Sequence, residues 1–171
     1  DKERIIRNQS ADDYKRETDA IKEGIKTKQE YIDKTREELK TKFGPDFKFT
    51  DYGKFKEQAG LFTAQADDMA RGAAYWRSEI EKYRYIAPGY ADSLWGNVRS
   101  YETEEAKYRG LAKQYSDMAG YMETAAGYEN EILNMNNDLT DLTAEQLEAQ
   151  QKITEELKSQ TQELLRQKAV L

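Results

Sequence analysis

Apolar and small residues recur along this chain in alternating steps of three and four. Ala11, Tyr14, Thr18, Ile21, Ile25, Lys28, Ile32, Thr35 and Leu39 form the first such series. That spacing returns to one face of a helix on every turn, the seam of a coiled-coil-like packing. Ser10 with Asp13 reads as a weak N-terminal cap, and Ile5 and Ile6 extend the apolar pattern upstream. The series stops at "KFGPDFKF", residues 42–49, where Gly44–Pro45 breaks a helix.

A second seam starts at Thr50 or Asp51. It runs through Tyr52, Phe55, Ala59, Phe62, Ala66, Met69, Ala73, Trp76, Ile80 and Tyr83. Trp76 and Tyr83 share this stripe with Met69 and Ile80, so packing is the simplest account of them. Tyr75, Tyr85 and Tyr90 fall off it. "APGY", residues 87–90, closes the helix, and Asp92 is placed to cap the next.

The third seam takes in Leu94, Val98, Tyr101, Tyr108, Leu111, Tyr115, Met118, Met122, Ala125, Ile132 and Leu139, with Glu104, Glu129 and Asn136 at intervening positions. "TAEQ", residues 143–146, has the form of a capping box and predicts a short turn followed by a fourth helix. Neither Gly nor Pro separates the last two segments, so continuation of the third helix through a bend near 139–143 is the alternative. Gln150, Ile153, Leu157, Gln160, Leu164, Gln167 and Leu171 keep the spacing beyond that point, with glutamine at alternate places. Such a seam docks imperfectly or needs a partner.

These patterns predict an all-α fold: an elongated antiparallel helical bundle with coiled-coil-like packing and three or four long helices. The 171 residues suffice for one domain with a sizeable core, residues 143–171 being its projecting or partner-dependent part. Gly60, Gly72, Gly96, Gly110, Gly120 and Gly127 sit inside the expected helices, where each costs about 0.5–1 kcal/mol relative to alanine. Close approach of a neighbouring helix is one reason to keep a glycine there, and local bending is the other.

Composition narrows the chemistry. With no cysteine and no histidine, the chain cannot form disulfides, Cys/His zinc sites or histidine-based acid–base machinery of its own. No nucleotide-binding, metalloprotease, calcium-loop or nucleophile-elbow motif occurs. The acidic doublets Asp12–Asp13, Asp67–Asp68 and Glu104–Glu105 place neighbours in different directions on a helix, which makes no carboxylate pair. No catalytic, cofactor-binding or metal-ligating residue is therefore assigned. A formal charge of −6 disfavours general nucleic-acid binding. No run of apolar residues is long enough for a membrane span.

The expected function is noncatalytic: a structural spacer, scaffold or assembly module that makes protein–protein contacts, through a partner or through self-association. A receptor- or ligand-binding helical module of an extracellular or pathogen-derived protein is the alternative. Candidate interface residues are the off-stripe aromatics Tyr75, Tyr85, Tyr90, Trp95, Tyr121 and Tyr128.

Overall fold

A computed structural model describes residues 11–170. Ser10, Ile5, Ile6 and Leu171 lie outside the described residues. Within them every regular element is helical: α1 (Ala11–Phe43), a 3-10 turn (Phe49–Asp51), α2 (Tyr52–Tyr83), α3 (Pro88–Ser93) and α4 (Trp95–Val170). The fold is thus an all-α bundle of three long helices, with one short helix between α2 and α4. Its contacts gather into two compact units, residues up to Asp33 with those from Gly127 onward, and Lys34–Ala126.

In the first of these units α1 runs antiparallel to α4. As α1 advances through Gly24, Lys28 and Tyr31, its neighbours on α4 recede through Met135, Glu131 and Tyr128. Tyr14, Ile32 and Leu142 are buried here. Lys28, a polar residue on the α1 seam, reaches Glu131 at 3.1 Å and lies 4.7 Å above the Tyr128 ring. A long lysine side chain can bury its methylenes while its ammonium keeps a charged partner, which is why it is tolerated in the seam.

In the second unit α2 runs antiparallel to the first part of α4. Lys56 pairs with Glu123 at 3.0 Å, Asp67 with Arg109 at 3.2 Å, and Arg77 with Glu102. Phe55, Ala59, Ala66, Ala73 and Ile80 are the buried residues of α2, all on the seam read from sequence. Between them on the same face lie Phe62, Met69, Trp76 and Tyr83, half-buried. Alanines alternating with large side chains leave room for a neighbour at one level and fill the gap at the next. On α4, Val98, Met118, Ala119, Met122 and Ala125 are buried.

The break after α1 is a packed corner as well as a helix stop. Gly44 takes φ +92° and donates its N–H to Lys40 O at 3.0 Å, a left-handed C-terminal cap that glycine adopts without strain. Phe43, Phe47, Phe55 and Tyr115 then meet edge-to-face or tilted, with ring centroids from 4.9 to 5.3 Å. Phe49 is buried, with the Arg36 guanidinium 5.3 Å over its ring. At the start of α2, the Asp51 carboxylate accepts the Lys48 backbone N–H at 3.0 Å.

Two expected boundaries are corrected. No turn separates a third from a fourth helix: α4 is continuous for 76 residues. Thr143 does not cap a new helix, because its hydroxyl donates back to Leu139 O at 2.8 Å. Thr140, Thr154 and Thr161 do the same to the carbonyls four residues earlier. Back-bonding of this kind satisfies a threonine inside a helix and mimics the residue preferences of a cap. Likewise Asp92 does not cap the long helix. It lies within α3, which Pro88 opens at a position where the missing N–H costs nothing.

Candidate functional site: an aromatic helix corner

The corner that joins α2 to α4 concentrates exposed apolar surface on a complete core. Ile80, Ala91, Leu94 and Val98 form that core, and Trp76 and Tyr83 pack against it. The chain leaves α2 with Ala87 N–H bonded to Tyr83 O at 2.9 Å, turns at Pro88, and enters α4 after Leu94 N–H bonds Ala91 O at 3.1 Å. Ser93 Oγ donates to Tyr90 O at 2.6 Å. These bonds order the backbone of the corner without calling on the outer side chains.

Tyr85 and Ile86 stand on the outside of this turn, 82% and 79% exposed. Tyr90 and Trp95 are exposed beside them, and the Tyr90 ring meets Tyr83 edge-on at 5.1 Å. Tyr75 is exposed on α2, edge-on to Trp76 at 5.2 Å, about 15 Å upstream of Tyr85 along the helix. Tyr85, Tyr90 and Trp95 are thus exposed along the connection between α2 and α4, and Tyr75 upstream on α2.

The remaining candidates are placed elsewhere. Tyr121 is exposed on α4, roughly 39 Å along the helix from Trp95. Tyr128 belongs to the other compact unit, where it is half-buried against Tyr31 at 5.1 Å. Ile86 was not singled out from the sequence, and only its position before Ala87–Pro88 at a helix end signals its exposure.

Charges ring the corner without a dominant sign. Arg84 lies 5.5 Å over Tyr85 and pairs with Glu81 at 3.7 Å, Lys82 lies 5.4 Å over Tyr83, and Arg77 pairs with Glu102. An apolar centre with a mixed polar rim is the composition of a protein-contact patch. Further down α4, hydrogen bonds that Arg109 donates to Asp67 and Glu105 raise its pKa, and one that Lys113 donates to Asp117 raises that of the lysine. These groups are paired surface cations rather than poised acids or bases.

Among the described residues no cluster of three or more His, Cys, Asp or Glu side chains is placed to hold a metal ion. No described helix is long and apolar enough to cross a membrane. Every buried polar side-chain atom among them has a hydrogen-bond partner. No protein-family model matches the chain, and no curated protein or solved structure matches it.

Proposed function

We propose that this chain is a noncatalytic scaffold or assembly module whose α2–α4 corner binds another protein. The observation that carries this reading is the exposure of Tyr85 and Ile86 on a hydrogen-bonded turn above a filled core. Folding gains nothing from two large apolar side chains in water, whereas a partner that covers them recovers about 1.5–3 kcal/mol for each. Tyrosine and tryptophan are the residue types that most often dominate such interfaces. The rigid backbone beneath keeps the ordering cost of binding low.

Site-specific photocrosslinking in the source cells tests it. A photoreactive phenylalanine analogue at Tyr85 should give one discrete adduct, and Trp95→Ser should abolish it. The same analogue at Lys54, exposed at the far end of α2, should give none. Equal labelling at both positions would show that the corner has no dedicated partner.

A further inference from the structure

The C-terminal part of α4 carries a packing seam that nothing among the described residues covers. Every residue from Gln150 to Val170 is exposed. Ile153, Leu157 and Leu164 are 58%, 58% and 64% exposed. About 30 Å of helix thus stands in water, although a helix this short gains little stability by itself.

One row of this seam continues a row that is half-buried upstream. Ile132, Leu139, Gln146, Ile153, Leu157 and Leu164 keep one heptad register on α4 without a skip. Upstream, Ile132, Leu139 and Gln146 of this register are half-buried, flanked by Met135, which meets Gly24 of α1, and by the buried Leu142, whereas Asn136 and Thr143 in the row of Leu157 and Leu164 are exposed. Beyond Ala149 the stripe continues while its neighbour among the described residues ends. Beside it, Leu157 and Leu164 add an exposed apolar row, and together the two rows have the a/d spacing of a helix–helix interface.

We propose that residues 150–170 associate in parallel with the same segment of further copies of this chain. In this register Leu157 and Leu164 occupy position a, and Ile153, Gln160 and Gln167 position d. Parallel alignment sets Leu157 and Leu164 against themselves and each glutamine against its own counterpart, where two amides can hydrogen-bond. The flanking charges select the same orientation. Glu163 at g faces Lys168 at e of the neighbouring copy when the helices are parallel. Antiparallel alignment instead brings the g positions together, setting Glu156 against Glu163. Leu147 and Val170 widen the apolar face at e and g. This deepens the assembly reading but uses a different surface from the aromatic corner, so the two stand or fall separately.

Light scattering coupled to size exclusion on the whole chain, from micromolar to sub-millimolar concentration, reads the outcome. The expected mass rises to an integer multiple of 19.9 kDa. The paired substitutions Leu157→Glu and Leu164→Glu should weaken association by about 100-fold or more, since each buried leucine is lost at every copy. Helicity by circular dichroism verifies that the monomer keeps its fold. Glu163→Lys should weaken association, and adding Lys168→Glu should restore it. Because the chain has no cysteine, Ile153→Cys and Leu164→Cys, made singly, should each cross-link between copies under mild oxidation, while Gln162→Cys on the outer face should not.

A chain that stays monomeric throughout overturns the proposal, and assigns the seam to a different partner. An oligomer insensitive to Leu157→Glu and Leu164→Glu but lost with Trp95→Ser overturns it also, and moves self-association to the corner. Cross-linking at only one of Ile153→Cys and Leu164→Cys refutes the parallel alignment.

Discussion

Gly72 and Gly110 are both glycines inside long helices, and the same substitution at each should have opposite effects. At Gly72 an added Cβ would fall on the Tyr101 ring, 2.5 Å from Cδ1 and 2.9 Å from Cζ. Carbon atoms in contact prefer about 3.5–4.0 Å, so the ring would have to retreat by about 1 Å. It is a rigid group, half-buried between α2 and α4, and does not swing away as a lysine end would. Overpacking of this kind costs about 1–3 kcal/mol. Replacing glycine by alanine in a helix returns about 0.8–1 kcal/mol. Gly72→Ala should therefore destabilise by roughly 1 kcal/mol net. Gly110 has nothing within 4 Å of its would-be Cβ, so Gly110→Ala should stabilise by about 0.5–1 kcal/mol. Thermal unfolding followed by far-UV circular dichroism separates them: about 2–4 °C down for the first, about 1–4 °C up for the second. Tyr101→Ala should turn Gly72→Ala into a neutral or stabilising change, a coupling that a double-mutant cycle reads directly. If Gly72→Ala raises the melting temperature as much as Gly110→Ala, the close approach at Tyr101 is refuted.

Two further outcomes follow from packing and from charge. Ala66 is wholly enclosed on α2, so Ala66→Leu should destabilise by about 1–3 kcal/mol in urea titration. Leu61→Ser on the exposed face of the same helix should stay within about 0.5 kcal/mol of the parent. Asp51 titrates below its ordinary value of 3.8, chiefly because its carboxylate accepts the Lys48 backbone N–H, with Lys54 nearby adding to the effect. A depressed carboxyl stabilises the fold above that ordinary value, and the contribution is lost as pH falls through the lowered one. Asp51→Asn should therefore flatten the acid limb of the stability profile below about pH 4, measured by denaturant titration across that range.

The seams themselves were legible before any coordinates. Tyr14, Ile32, Thr35, Leu39, Phe55, Ala66, Ala73, Ile80, Val98 and Met122 all lie on stripes read from spacing alone, and all are buried. Periodicity suffices there because a helix repeats its faces at a fixed angle, so a residue's place in the chain determines which side it shares. The stops at Gly44–Pro45 and before Pro88 were legible for a similarly local reason, the restricted backbone of those residues.

Three features depended on what stands opposite. The threonine at 143 carries the same local signal whether it caps a helix or bonds back within one, and the choice went to α4 running on unbroken. Of the six helical glycines taken together from the sequence, only Gly72 meets a neighbour, because what fills the space at a missing Cβ belongs to another segment. The off-stripe aromatics looked alike along the chain. Tertiary structure divided them, burying Tyr128 partly against Tyr31 and leaving Tyr85, Tyr90 and Trp95 exposed at the α2–α4 connection. A sequence with this periodicity determines which face of each helix is sticky; only the arrangement of the other helices decides which parts of those faces are covered.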